Sequence, residues 1–146
     1  MAITQALANS FKKELLEADH NFKQSGGDKF KIALYTSSAT LNSATTCYTT
    51  GNEVGASGQY AAGGGALVNN GTSIASGVAI VDFADRSFTG VTLTARGALI
   101  YNTSATVTDA AVCALDFGAD KTATSGTFTI QFPAFTTAAA ILRISG

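Results

Sequence analysis

Val91-Thr92-Leu93-Thr94-Ala95-Arg96-Gly97-Ala98-Leu99-Ile100-Tyr101-Asn102 is the stretch that decides the fold. Its odd positions, from Val91 to Tyr101, are apolar or small, while its even positions begin Thr92, Thr94, Arg96. A period of two over a dozen residues is the pattern of a strand with one buried face, here carrying Leu99 inward. Polar residues follow from Thr103 to Asp109, and then a second apolar run, Ala110-Ala111-Val112-Cys113-Ala114-Leu115-Asp116-Phe117-Gly118. Strand, turn and returning strand make a hairpin at the centre of an antiparallel β domain.

Working outward, Lys29-Phe30-Lys31-Ile32-Ala33-Leu34-Tyr35 alternates, with Phe30, Ile32 and Leu34 on one face. Further strands are expected at Ala66-Leu67-Val68, Val78 to Phe83, Arg86 to Phe88, Thr127 to Phe132 and Ala138 to Ile144. Gly90 marks a bulge before the Val91 run, Arg96-Gly97 a bend or a bulge, and Pro133 the end of the Thr127 strand. Gly63-Gly64-Gly65 is expected to be a flexible joint, because no helix with a Lys or Ser/Thr follows it as a phosphate loop requires. Ahead of all this, Ile3, Leu7, Phe11, Leu15 and Ala18 form one apolar stripe, predicting an amphipathic helix over residues 3–20. The chain therefore reads as a single domain, residues 1–146. It is mainly β, an antiparallel two-sheet sandwich of jelly-roll kind over residues 28–146, with one N-terminal helix.

Residues 36–65 are rich in Ser, Thr, Gly and Asn, far longer than an ordinary connection. They are expected to form a functional loop, an arm, or irregular structure held by its neighbours, with Tyr48, Val54 and Tyr60 as anchors. The helix stripe must bury itself against the chain's own sandwich or against a partner. Leu7, Phe11 and Leu15 on the stripe, with Tyr48, Val54 and Tyr60 in the long segment, are therefore the candidate interface residues.

Composition narrows the function classes. Charged residues are 13% and hydrophobic ones 46%, and the formal net charge is −1. No basic stripe with interleaved aromatics appears, so nucleic acid is not an expected partner. Such a weakly charged surface offers little repulsion between copies. No apolar run nears the roughly 20 residues of a membrane helix. Met1-Ala2-Ile3-Thr4 does not read as a secretory start, so synthesis in a cytoplasm and no membrane partner are expected. Cys47 and Cys113 are too few for a disulfide framework or a zinc site, and Cys113 is expected in the core.

Catalytic groups are sparse. His20 is the one histidine, and beside Asp19 at the helix end it reads as a solvated helix C-terminal cation rather than half of a nucleophile device. Asp82 with Asp85, or Asp116 with Asp120, matches no calcium-loop spacing, and turn residues explain them. Paired-carboxylate glycosidase chemistry needs an aromatic-lined cleft, and Trp is absent. Asn70-Gly71-Thr72 and Asn102-Thr103-Ser104 fit the glycosylation pattern but are chance matches without a secretory start. No enzyme activity, cofactor or metal is expected.

Several phrases occur together in a familiar order. They are Ala18-Asp19-His20-Asn21-Phe22, then Gly27-Asp28-Lys29-Phe30-Lys31-Ile32-Ala33-Leu34-Tyr35-Thr36, Asn52-Glu53-Val54, and Ala95 to Asn102. Leu115-Asp116-Phe117-Gly118-Ala119-Asp120-Lys121 and Phe128-Thr129-Ile130-Gln131-Phe132-Pro133 complete the set. The chain resembles small virion structural proteins of tailed bacteriophages, read as head decoration or cement proteins. That resemblance implies a jelly-roll-like sandwich seated on the exterior of an HK97-type capsid, made in the bacterial cytoplasm, without catalytic residues. It implies binding to the major capsid protein and a homo-oligomer, dimer or trimer, whose many copies stabilise the shell together. Two other readings remain: a phage tail or neck component, and a carbohydrate-binding β-sandwich using Tyr35, Tyr48, Tyr60 and Tyr101.

Overall fold

β6 (Arg86–Asn102) and β7 (Ala110–Ile130) form an antiparallel hairpin that runs the length of the protein. In this computed structural model residues 2–133 and 140–145 are described. β7 merges the two strands expected at 110–118 and 127–132 into one, ending at Ile130, so that Pro133 lies beyond it. Gly118 and Ser125, both at positive φ, bend β7 without ending it. Ladder register shifts at Phe88/Val91, Val91/Leu93 and Ala95/Gly97 bend β6 to match, fulfilling the bulges expected at Gly90 and Gly97. The bend is large. Eleven residues of straight strand would separate Phe117 from Phe128 by about 36 Å, yet their ring centroids lie 6.1 Å apart.

β2 (Phe30–Tyr35) pairs with β6, with Phe30 opposite Asn102 and Tyr35 opposite Gly97. Directly paired residues share a face. Ala33, Tyr35, Leu99 and Tyr101 thus face one way, and Phe30, Ile32, Ala98, Ile100 and Asn102 the other. Both sets are buried, so the single buried face expected for the Val91 stretch holds only for its first half. Two layers of chain cause this. Segment 36–64 covers the Leu99 side, stacking Tyr48 on Tyr101 at 4.8 Å. The opposite side faces the aromatic run Phe11, Phe22, Phe30 and Phe83, with successive centroids 5.9, 4.6 and 5.6 Å apart.

The N-terminal segment corrects the expected helix over 3–20. Residues 3–8 are extended: Ile3 bridges Leu41, and β1 (Ala6–Leu7) pairs with Ala114 and Cys113 on the edge of β7. Four-residue spacing of apolar groups is compatible with this, and strand hydrogen bonds outweigh a short helix with no side-chain N-cap. Ile3 crosses the sheet over Gly97, where a Cβ would stand 2.8 Å from its Cδ1. The helix itself, α1, spans Asn9–Leu16. It stops in a Schellman motif: Ala18 turns at φ +61°, Asp19 N–H reaches Glu14 O and Ala18 N–H reaches Leu15 O. That turn sends the chain inward at His20.

β3 (Gly65–Ala66) pairs with β2 and completes the five-stranded sheet, order β1-β7-β6-β2-β3. The glycine joint is not loose here. Gly64 sits at φ +79°, and a Cβ on it would fall 1.8 Å from the carbonyl oxygen of Ile32. The second sheet, order β4-β5-β8, contains β4 (Asn69–Ala75), β5 (Val78–Phe83) and β8 (Leu142–Ile144). The strand expected at 66–68 is met in part by β3, which ends at Ala66, while β4 has no counterpart among the expected strands; its polar Asn-Asn-Gly-Thr-Ser run hides it from periodicity. Residues 138–139 of the last expected strand lie outside the described residues. Both sheets are antiparallel and contribute to one buried cluster, reaching from Ile3 to Leu142, as a two-sheet sandwich requires.

Candidate functional site

The three-stranded sheet carries an apolar face that the described residues cover only at one end. Register places Thr72 beside Val81 beside Leu142, and Ile74 beside Ala79 beside Ile144. Phe83, Val81 and Leu142 on this face pack into the core. Further along, Ile144 is 58% exposed and Ile74 72%. α1 stands opposite and leaves a cleft of about 500 Å³, walled by Leu7, Phe11, Leu15 and Leu16 on one side and Ala79, Val81, Leu142 and Ile144 on the other. Leu16 at its lip is 90% exposed. Its lining among the described residues includes Lys12 and Arg143, and no Asp or Glu.

The six candidate interface residues do not form one surface. Leu7 and Leu15 are half-buried in the cleft wall, and Phe11 is buried behind them. Tyr48, Val54 and Tyr60 belong to the segment across the large sheet. Val54 and Tyr60 are buried within the chain, Val54 donating its N–H to the carbonyl of Leu34. Val54 and Tyr60 therefore offer a partner no surface, Phe11 shows only a sliver in the cleft wall, and Leu7, Leu15 and Tyr48 are partly accessible. Leu16, Ile74 and Ile144 are the surface residues that sequence reasoning missed. Leu16 falls off the helical stripe, and Ile74 sits among polar residues, so neither stands out by period.

The segment 36–64 is irregular structure held by its neighbours, with Glu53 at its centre. Tyr48 and Tyr60 donate their hydroxyls to its two carboxylate oxygens at 2.5 and 2.8 Å, and Gly63 N–H adds a bond of 2.7 Å. Tyr35 donates to Thr49 O, and Tyr101 to Gly63 O. Burial raises the Tyr35, Tyr48 and Tyr60 hydroxyls above their ordinary range and Tyr101 to about 12. All four tyrosines are spent on internal bonds, and Tyr35, Tyr60 and Tyr101 are buried. They supply no exposed platform for a sugar ring.

His20 is not the solvated helix-end cation expected; its side chain is fully enclosed. Its Nε2 lies 2.9 Å from Glu14 Oε1, and its Nδ1 lies 2.9 Å from Asn102 Nδ2. The Asn102 amide is oriented by two other bonds, Oδ1 accepting from Ser104 N–H and Nδ2 donating to Asp28. Its Nδ2 therefore donates to His20 as well, which makes Nδ1 the acceptor and puts the ring proton on Nε2, facing Glu14. With both nitrogens engaged, the ring is a structural strut between α1, the 17–29 connection and β6.

Three of the four paired aspartates are engaged, whereas the buried Oδ1 of Asp82 has no hydrogen-bond partner among the described residues. Asp116 and Asp120 lie 3.6 and 3.8 Å from the Arg96 guanidinium, and Asp85 accepts the amide of Phe132. Among the described residues no three His, Cys, Asp or Glu side chains cluster as metal ligands. Cys113 is in the core as expected, its thiol pushed up to about 12 by burial. Cys47 is half-buried. What the arrangement offers, among the described residues, is an open apolar cleft with Lys12 and Arg143 in its lining. No protein-family model, no curated protein and no solved structure matches this chain.

Proposed function

We propose that the protein is a non-enzymatic structural component that works by docking onto other protein, and that its setting is the phage capsid. In that setting it acts as a cement or decoration protein on the major capsid shell. The uncovered apolar cleft between α1 and β5/β8 carries this reading, because exposed Leu16, Ile74 and Ile144 gain from being covered. Burying each such side chain is favourable by about 1.5–3 kcal/mol. A weakly charged surface and a tightly braced sandwich suit a part that is repeated many times over a shell, where modest single contacts add up. The resemblance of phrases from Ala18 to Pro133 to virion decoration proteins supplies the capsid setting.

The test is to purify particles from cells that make this chain and to separate heads from tails. Hundreds of copies on each head are expected, visible by electron microscopy as density on the shell exterior. About a dozen copies confined to the neck or tail, or none in the particle, overturn the capsid assignment.

A further inference from the structure

We infer that the free edge of β7 receives an extended segment of another protein as an added strand, over residues 127–131. This surface is separate from the cleft, and what docks there does not depend on the capsid assignment. In the five-stranded sheet the chain caps several of its own edges. β1 covers β7 at Cys113 and Ala114, and Gln5 continues the cover by accepting the amide of Asp116. On β6, Gln59 exchanges two hydrogen bonds with Thr89, and Ser57 Oγ accepts the amide of Thr92. Beyond Gly118, by contrast, β7 pairs only with β6 among the described residues, so its other row of N–H and C=O groups is open.

A hollow of about 400 Å³ lies along this open row, and residues 127–131 line it consecutively. Side chains of a strand alternate between its two faces, so a hollow against a face meets every second residue. One that meets five in succession lies along the backbone edge. Phe117 and Phe128, their ring centroids 6.1 Å apart across the bend, supply its apolar wall. Lys121 also lines it, without a carboxylate partner among the described residues, since Asp116 and Asp120 turn to Arg96. These features select the occupant. A row of backbone donors and acceptors is matched by an extended chain, which presents the complementary row. An apolar side chain on that segment fits the phenylalanine wall, and an acidic one fits Lys121. A second copy would bring the same edge, curved the same way by the turns at Gly118 and Ser125. Two concave edges do not close on each other, whereas a single strand enters.

The probe is a displayed library of random linear nine-residue peptides, panned against the full chain. Enriched peptides are expected to alternate apolar with polar residues and to carry Asp or Glu. Bound, they should slow hydrogen exchange at amides within residues 127–131 and leave α1 unchanged. N-methylation of such a peptide should weaken binding about tenfold at every second amide, the loss of one backbone bond, and leave the intervening amides indifferent, because only one edge of an added strand faces β7. Thr127→Trp fills the hollow from an exposed position and should abolish binding, whereas Thr124→Trp, exposed and outside the hollow, should not. Lys121→Glu should shift the enriched peptides from acidic to basic. If Thr127→Trp lowers the melting temperature, the Lys121→Glu exchange and the N-methylation pattern decide. Panning that enriches no peptide, peptides indifferent to Thr127→Trp, or N-methylation that acts equally at every amide overturns the inference. Protection of residues 127–131 that grows with the concentration of the chain alone makes the occupant a second copy, and overturns it as well.

Discussion

The Tyr60 hydroxyl donates to Glu53 at 2.8 Å while accepting the backbone amide of Leu34 at 2.7 Å, so one phenol joins the long irregular segment to the edge of β2. Beyond β3, no strand pairs with that edge among the described residues, and only the single bridge of Tyr35 to Glu53 extends it. The Tyr60 hydroxyl and the Val54 amide take the place of one, satisfying the N–H and the carbonyl of Leu34. Segment 36–64 thus stays fixed although it has no regular structure and almost no periodic apolar residues.

Glu53→Gln tests this arrangement directly. Glutamine keeps the shape but turns an NH₂ toward donors that a carboxylate accepted, leaving at least one of Tyr48, Tyr60 and Gly63 N–H unpaired. A loss of about 1–3 kcal/mol is expected, read as a lower urea midpoint at unchanged slope. Protease cleavage should become faster between residues 36 and 64 and stay unchanged in β6 and β7. Equal midpoints for the two proteins would mean that the tyrosines, not Glu53, hold the segment.

How much of this was legible beforehand depends on the range of the interaction. β2 and β6 declared themselves through alternation, and β5 and the start of β7 as short apolar runs, because their partners are regular strands. The full length of β7 did not, since Gly118 and Ser125 look like breaks and act as bends. The first half of the stripe at Ile3, Leu7, Phe11 and Leu15 fits a helix equally well, and only the free edge of β7, over a hundred residues downstream, decides for a strand. His20 has the same difficulty: its partner Asn102 is 82 residues away. Of the candidate site, the helix stripe led to Leu7 and Leu15 in the cleft wall, whereas Leu16 is exposed because the Schellman turn ends α1 just beyond it.

His20→Ala should be among the more damaging single changes near α1. It removes the ring packed at 4.8 Å from Phe11, and it strips a partner from Glu14 and from Asn102 at once. A loss of about 3 kcal/mol is expected from the cavity and the unpaired groups together. His20→Ala with stability within about 0.5 kcal/mol of wild type, the range of an ordinary surface change, would restore the solvated reading.

Ala18→Gly should act in the opposite direction. Ala18 holds φ +61° to close the Schellman turn, a conformation that disfavours a residue with a Cβ by about 1–2 kcal/mol, partly offset by the greater freedom of glycine when unfolded. A gain of roughly 0.5–1 kcal/mol follows, visible as a higher melting temperature. A lower one would show that the turn relaxes away from αL.

Leu99→Asp places a charge at a fully enclosed position between Ala33 and Ala114. No cation lies opposite it on either neighbouring strand. The penalty exceeds about 4 kcal/mol, enough to abolish folding of a domain this size. Soluble protein with a native near-ultraviolet spectrum would mean that the centre of β6 is less enclosed than its register implies.

Stability should fall on the alkaline side, and the sign follows from burial. Cys113 is raised from its ordinary 9.0 to about 12 and Tyr101 from 10.0 to about 12, with Tyr35 and Tyr60 also raised by burial. A group with a raised native pKa keeps its proton in the folded chain while the unfolded chain releases it. The unfolded state then binds fewer protons, so stability is constant below about pH 9 and declines as pH rises toward 12. Cys113 acts first, from pH 9, and the tyrosines join near pH 10. Each group adds up to about 1.4 kcal/mol of loss per pH unit within its window. Urea midpoints taken at pH 7, 9, 10 and 11 should trace this curve. Cys113→Ala, whatever its baseline stability, should flatten the portion between pH 9 and 10 and leave the later decline in place. Parallel curves for the two proteins would show that the Cys113 thiol ionises in the folded chain as readily as in the unfolded one.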